Sequence, residues 1–504
     1  MMLPSETTRE SVWIASTPTT SFPRVENDLK TEILVVGGGL VGLTTAVQLQ
    51  EEGKEVLLVD RWSIGTKVSG NTTAKITAFH DLNYQSLIKV VGEEDARKYY
   101  ESNQQGIDLA ETMVMHTGIP CDFSRRDLCY FSRTPEGAKA IEAEHEAVQR
   151  LRIPGEMTKE IDFPGDLTAG LRFTHQAQFH PRKFMLGLAE RFTRNGGRIY
   201  EHSLATKVKP GADIEVTVND NTIQPDILVI ASHYPFYEGS GMYNTRLFPR
   251  SAYGVAVQLQ EPYSGAMYVG ADEHEHTFRS QPSNRGELVI VGGEDHSMGG
   301  DNEDRYGTMI TDVTTHFPVT RVDNVWSAHD FNTLDSMPYI GRLSPLHDRI
   351  YVATGFAEWG MAKSFLSAQI LTDLIMDKEN DWASLYNPAR VSRAMIPQTL
   401  HKVKSVATFM IKPKFQKSDE SEQAVSPGTG KVLDLNKEKT AVYCSPEGRL
   451  EEVSAVCSHM GCIVGYSASE QKWDCPCHGS QYQVDGEVVY GPAFHGLKKV
   501  KGSG

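Results

Sequence analysis

Apolar and polar positions follow three different patterns along this chain. In "TEILVVGGGLVGLTTAVQLQEEGKEVLLVD" (31–60), an unbroken apolar run from Ile33 to Val36 gives way to glycines, then to helical spacing, then to a second run from Val56 to Val59. Short continuous runs mark strands buried on both faces, and a 3.6-residue period marks an amphipathic helix. The pattern predicts strand, glycine turn, helix and strand. Ala46 and Leu49 keep the helix face small and apolar, and Gly53 ends it. Further on, "SAYGVAVQLQ" (251–260) and "GELVIVGG" (286–293) alternate, which predicts a half-buried antiparallel sheet. Between 386 and 432 the pattern loosens. Ile396, Leu400, Val403, Ala407 and Met410 recur at helical spacing beside Lys402, Lys404, Lys412 and Lys414. This predicts a basic amphipathic helix that packs on its own domain or, alternatively, touches a membrane surface over 392–414. "KSDESEQAVSPGTG" reads as a solvated linker. No internal repeat is evident, and no run of about 18 apolar residues predicts a spanning helix.

The glycine turn carries the first chemistry. Gly37, Gly39 and Gly42 stand at G-x-G-x-x-G spacing. The first permits a tight turn, the second lets a pyrophosphate approach the backbone, and the third lets helix and strand pack closely. The helix N-terminus offers free N–H groups to the phosphates. Asp60, 18 residues beyond Gly42, ends the second strand where an acid holds a ribose hydroxyl. A second such motif, expected of a nicotinamide-dependent flavoenzyme, is missing: "LVIVGGEDHSMGG" (288–300) reads as a strand and loop. One dinucleotide site favours FAD.

Length and composition set the frame. At roughly 100–200 residues per domain, 504 residues predict two to four domains. A hydrophobic share of 39% and a charged share of 23% are those of a globular chain, and a net charge of −15 argues against a nucleic-acid partner. The start of the chain lacks a basic stretch followed by an apolar core, so a cytoplasmic location is expected, where cysteines more often bind metals than form disulfides.

Four of the seven cysteines crowd into "VCSHMGCIVGYSASEQKWDCPCHGSQY" (456–482). The spacing is Cys457-x-His459, fifteen residues, then Cys475-x-x-His478. Two loops that each give one thiolate and one imidazole suit a Rieske [2Fe–2S] centre, which has two thiolates on one iron and two imidazoles on the other. A zinc site built from Cys457, Cys462, Cys475 and Cys477 is the alternative, although it explains neither histidine. Cys121, Cys129 and Cys444 lack partner spacing and are expected in the core.

On these motifs the chain resembles the D-amino-acid oxidase (DAO) superfamily of FAD-dependent oxidoreductases over roughly residues 30–385. "SGNTTAKIT" (69–77), "GGRIYEHSLATKV", "DILVIASHY" (226–234) and "DSMPYIGRL…RIYVATGFAEWGMAKSFLSAQILTDLI" (335–375) extend the likeness. The resemblance implies an α/β, Rossmann-like FAD-binding domain of the glutathione-reductase type, interrupted by a mostly antiparallel β substrate domain. The expected divisions are an N-terminal extension at 1–30, FAD-binding segments at 31–94, 176–234 and 326–385, and substrate segments at 95–175 and 235–325. A linker at 386–425 and a small all-β Rieske domain at 426–504 follow. The resemblance puts Thr72, Thr73 and Ala74 along the flavin, Val208 at the adenine, and Gly341 and Gly355 in turns of the FAD signature. A helix beginning at Gly360 and Met361 would point its dipole at the flavin's pyrimidine edge. Ala362 stands where amine oxidases of this kind often carry Lys or Thr, with Lys363 next to it. No clear Arg–Tyr pair clamps a substrate carboxylate; Arg279 and Tyr253 are candidates, and Lys75, His80 and His233 could lie near the flavin.

The region 426–500 resembles Rieske proteins of the cytochrome bc1 and b6f type. The resemblance implies a Cys462–Cys477 disulfide, hydroxyl donors to the cluster at Ser480 and Tyr482, and a covering proline loop at "GPAFHGL" (491–497). Together the resemblances imply a dehydrogenase. An amine or amino-acid-like substrate delivers hydride to FAD, and single electrons pass through the cluster to an external acceptor, a protein or quinone. His459 and His478 would be the docking edge. Two other readings stand: an O2-using oxidase with the cluster as sensor or structural module, and a Rieske-type oxygenase, which needs a mononuclear iron held by two histidines and a carboxylate. For the last, "DEHEH" (272–276) is the nearest cluster.

Overall fold

The computed structural model describes residues 6–261, 263, 265–274, 276–390, 421 and 425–500. The linker helix expected within 386–425, with its membrane-contact stretch, lies outside these residues except at its margins.

The first apolar run is the centre of a largely parallel sheet. Its order is Tyr339–Arg342, Ile350–Thr354, Asn221–Ile230, Leu29–Val36, Val56–Val59, Arg198–Tyr200, with Ala205–Lys209 and Glu215–Val218 appended as a meander. Both faces of the central strand are covered. Ile33 and Val35 pack with Leu43, Val47 and Leu371 on one side, and Leu34 and Val36 with Val216, Leu228 and Val352 on the other. That double burial is why the run is uninterruptedly apolar. The helix after the glycine turn spans Leu40–Glu51, and the C-terminal helix Gly360–Ile375 lies against it.

The second sheet has the order Val319–Thr333, Leu247–Leu259, Gly286–Ser297, Thr277–Ser283, Met267–Gly270, Ser124–Ser132, Ala169–Gln178, Lys75–Ile76, mostly antiparallel. Alternation here predicted one solvated face, and the structure corrects this. Residues 253–257 are buried on both sides: Val255 and Val257 pack under the helix Arg305–His316, and Ala256 packs towards Ile290 and Trp326. The sheet boundaries also differ from the expected divisions. Residues 326–333 continue a substrate-sheet strand, 176–178 end another, and Lys75–Ile76 pairs with Gln178 and Ala177. These strands stay paired and largely buried across the expected divisions.

Residues 6–28 run along the surface and are anchored at a few buried points, among them Ser11–Trp13 and Val25. Thr8 exchanges backbone bonds with Asp323 and Val325, and Trp13, fully buried, donates from Nε1 to the carbonyl of Thr72 at 2.6 Å.

The C-terminal unit holds two small antiparallel sheets, Thr429–Leu435/Glu438–Cys444/Leu450–Ser454 and Gly465–Ser467/Lys472–Asp474/Gln481–Tyr482/Val488–Tyr490. It rests on the substrate sheet through a close backbone approach. A Cβ at Gly465 would stand 2.1 Å from the carbonyl oxygen of Gly299. Asp301 N donates to Tyr466 O and Ala468 N to Asp301 O, at 2.9 and 2.8 Å. Beside this seam the buried carboxylate of Glu470 accepts from Ser251 Oγ, Ser327 Oγ and Gln481 Nε2 at 3.0, 2.7 and 2.7 Å, with His329 Nε2 at 3.3 Å.

Candidate active site

A cavity of about 390 Å³ opens where the two large sheets and the C-terminal unit meet. Gly37 and Gly39 form one wall. Gly37 has φ +119°, and a Cβ there would stand 2.3 Å from the carbonyl oxygen of Ala231, so only glycine fits. Gly42 backs onto the carbonyl of Gly37, which brings helix and strand together as its spacing predicted. Asp60 lines the cavity and is half-buried; Gly38 N and Trp62 N donate to its two oxygens, both at 2.6 Å. Burial pushes its carboxyl up to about 6 despite those bonds. The helices Leu40–Glu51 and Gly360–Ile375 both present their N-termini here, through Gly39 and Gly360; neither N-cap residue caps its helix with a side chain, and Ser69 Oγ accepts from Leu40 N at 3.0 Å. Two helix N-termini with partial positive charge, joined by a glycine wall, fit an extended pyrophosphate-linked flavin.

Other expected cofactor contacts divide. Thr72, Thr73 and Met361 line the cavity, and Ala74 lies just behind them with φ +58°. Val208 is not in the lining; its side chain belongs to the core between the parallel sheet and its meander, and Ser203, Leu204 and Ala205 reach the cavity instead. The apolar alternation of the meander did not mark where it crosses the site. Gly341 and Gly355 also lie outside the lining, with φ +138° and +78° at packed turns. A Cβ on Gly355 would stand 2.3 Å from Thr333 Cγ2, so its role is packing.

Among the catalytic candidates, Lys75 lines the cavity, with Nζ donating to Thr73 Oγ1 and Thr277 Oγ1 at 3.0 and 2.7 Å; burial lowers its ammonium to about 7. Tyr253 and His233 line it too, with His233 Nε2 3.4 Å from Asp330 Oδ1. His80 lies outside the lining. Its Nε2 donates to Thr77 O, so its Nδ1 accepts from Tyr99 Oη, at 2.8 and 2.7 Å. Arg279 is fully buried and all five of its N–H groups are used, on the carbonyls of Ala74, Phe179 and Ser280 and on Gln281 Oε1. It is a structural brace, not a carboxylate clamp. Lys363 is buried and donates to the carbonyl of Phe356 at 2.8 Å. Asp272 accepts from Ser132, Arg133 N and Thr134, and His276 is held between Asp312 and Glu294, so the 272–276 stretch does not assemble a histidine–carboxylate iron site. Sequence reasoning missed Asp81, Asp295, Asp330 and Glu358, which line the cavity from four separate segments. Their scatter along the chain leaves no motif.

The cysteine–histidine stretch folds as two matched loops. Cys457 N donates to Cys462 O and Gly461 N back to Cys457 O; Cys475 N donates to Ser480 O and Gly479 N back to Cys475 O. Gly461 and Gly479 turn both loops at φ +76° and +73°. The loops set the buried Cys457 and Cys475 thiols side by side, and the bond between them lowers Cys457 and raises Cys475. His459 and His478 stand edge to face, ring centroids 5.0 Å apart. His459 Nδ1 is buried with no hydrogen-bond partner among the described residues, a lone pair suited to a metal. Cys462 and Cys477 are joined as a disulfide, which removes the four-cysteine zinc set. Two thiols and two imidazoles remain, the donor set of a Rieske cluster. Tyr482 Oη lies 3.1 Å from Cys457 Sγ, and Ser480 is fully buried beside it, accepting from Ala493 N.

The two sites share a wall. Tyr234 lines the cavity, and its ring packs on His459 and His478 at centroid distances of 6.0 and 6.3 Å. Tyr490, Gly491, Pro492 and Phe494 of the C-terminal unit also line the cavity, anchored by Arg61 Nη1 to Ala493 O at 2.9 Å and Lys67 Nζ to Val489 O at 3.2 Å.

Comparison with known proteins agrees with this geometry. Residues 32–374 match the FAD dependent oxidoreductase family (DAO) and residues 416–501 the Rieske [2Fe-2S] domain. A Bacillus subtilis (strain 168) chain named for a Rieske 2Fe-2S iron-sulfur protein, YhfW, is 34% identical over 498 residues, covering 97% of each chain. The gamma-glutamylputrescine oxidoreductase of Escherichia coli (strain K12) is 21% identical over 70% of this chain and 85% of its own. Glycine oxidase from Geobacillus kaustophilus has the same fold, with a TM-score of 0.61 at 16% identity over 72% of this chain and all of its own. The chain thus belongs to the FAD dependent oxidoreductase family and carries, after that domain, a Rieske [2Fe–2S] domain of the kind found in cytochrome b6-f complexes.

Proposed function

We propose that this protein is a dehydrogenase that oxidises an amine or amino-acid-like substrate and releases the electrons singly to an external acceptor. Bound FAD supplies two-electron hydride chemistry, and the [2Fe–2S] cluster supplies one-electron chemistry. The observation that carries the reading is the shared wall: Tyr234 borders the FAD cavity on one side and both cluster histidines on the other. Electron transfer through protein weakens steeply with distance, so two redox sites separated by one aromatic ring favour direct transfer. Gamma-glutamylputrescine oxidoreductase and glycine oxidase, named for amine and amino-acid substrates, favour a C–N substrate here.

The chain's own residues divide the work. The substrate amine loses two electrons and two protons, and the imine left behind hydrolyses in water. Lys75, in the wall with an ammonium lowered to about 7, takes one proton as a free amine. The FAD-side approach to His478 is covered by Tyr234, and His478 is buried. His459 is half-buried beside exposed Met460 and Val456, which leaves that side for the one-electron acceptor.

The test is anaerobic stopped-flow mixing of FAD- and cluster-loaded protein with a panel of amines, amino acids and 2-hydroxy acids. Flavin bleaching followed by the EPR signal of a reduced cluster is expected for a C–N substrate. Bleaching with a cluster that stays oxidised until O2 is admitted would support the oxidase reading instead.

A further inference from the structure

One stretch of the cavity wall is acidic. Asp81, Asp295, Asp330 and Glu358 all line it. Three of these carboxylates have close partners: Asp81 accepts from Trp359 Nε1 at 3.0 Å, Asp295 pairs with Arg250, and Asp330 accepts from the N–H groups of Phe331 and Glu358 at 2.7 and 2.6 Å. Glu358 differs. Its Oε1 is buried and has no hydrogen-bond partner among the described residues. The cation near it, Arg250, has its Nε at 3.6 Å, beyond hydrogen-bond range, and its Nη2 already on Asp295.

The chain holds Glu358 there against its backbone preference. Ala357 and Glu358 are consecutive non-glycine residues at φ +53° and +65°. Ala357 N donating to Phe331 O at 3.2 Å, and Glu358 N to Asp330 Oδ2, pin this turn just before the Gly360–Ile375 helix. The turn fixes the direction in which the Glu358 side chain leaves the backbone. Burial pushes the Glu358 carboxyl up to about 8 against the pull of Arg250, so it holds a proton at neutral pH until a second cation joins it. Meanwhile Arg279, whose fork suits a carboxylate, has every N–H spent on the protein itself.

We propose that Glu358 recognises the substrate's ammonium group, and that the substrate is an amine without a carboxylate on its reacting carbon. The inference rests on the amine-oxidising reading and narrows it. An ammonium N–H supplies the donor that Glu358 Oε1 lacks, whereas an α-carboxylate has no N–H to give and would be set beside Asp330 as well.

The probes are n-butylamine and norvaline, which differ only in the carboxylate. Each is mixed anaerobically with full-length, FAD- and cluster-loaded protein. The perturbation of the flavin absorption band gives a dissociation constant, and bleaching gives a rate. The expected result is tighter binding of n-butylamine, weakened roughly 10- to 100-fold by Glu358→Gln with FAD content unchanged, and a reversed preference in Glu358→Arg. Norvaline binding as tightly as n-butylamine, binding of neither, or an unchanged n-butylamine constant in Glu358→Gln overturns the proposal. Should a variant lose FAD, the preference of the unaltered protein decides. Glu358-dependent amine binding without bleaching would uphold recognition and remove the redox reading. Bleaching by norvaline alone would do the reverse.

Discussion

At the scale of single residues, a buried charge that faces the cavity is what distinguishes the working groups. Lys75 and Arg279 are both buried cations, yet Arg279 is bound on every N–H while Lys75 sits in the cavity wall between two threonine hydroxyls. Because burial lowers Lys75 to about 7, the free amine that accepts a proton accumulates as pH rises through that value. Flavin reduction should therefore accelerate with pH across about 7. Lys75→Met should slow it by about 10²- to 10⁴-fold and flatten the profile, with the FAD spectrum retained; stopped-flow rates across pH check this. At the cluster, Cys457→Ser removes one of the four ligands. Iron content should fall to background while FAD stays bound, as measured by metal analysis and the visible spectrum.

At the scale of elements, glycines and loops set what can approach what. The matched loops around Cys457 and Cys475 are tied by the Cys462–Cys477 disulfide, which closes a separation of 15 residues. A loop of that length corresponds to about 3 kcal/mol of stabilisation. The Cys462→Ser, Cys477→Ser double variant should lower the denaturation midpoint of the C-terminal unit, followed by loss of cluster absorption in denaturant, before the FAD domain unfolds. Gly465 lets the C-terminal unit meet the substrate sheet at Gly299. Gly465→Val should push the units apart and slow electron passage from flavin to cluster more than it slows flavin reduction by substrate; rapid-mixing EPR separates the two.

At the scale of the whole molecule, the Glu470 carboxylate is a buried polar link between the units, gathering Ser251, Ser327 and His329 from the substrate sheet and Gln481 from its own unit. Burial works against its charge, but His329 and the converging donors hold it well below the ordinary 4.5. A carboxyl lowered on folding adds stability above its unfolded value and loses it as pH falls below about 4.5. Acidification should therefore loosen the docking, and Glu470→Ala should do so at neutral pH; limited proteolysis and small-angle scattering read both. Among the described residues no helix is long and apolar enough to cross a membrane.

Chemistry carried by closely spaced residues is legible in the sequence itself. The Gly37–Gly42 turn and the Cys–His loops each need their residue types within one short segment, so local spacing alone determined them. Val208, Gly341 and Gly355 show the limit: an apolar or glycine pattern marks a turn or a core position as readily as a cavity wall, and only packing shows that these three lie outside the lining. The acid wall of Asp81, Asp295, Asp330 and Glu358, and the shared wall at Tyr234, were decided by the tertiary structure. Their members come from segments far apart in sequence, brought together by two sheets and a docked third unit, and no periodicity along the chain encodes a distance across it.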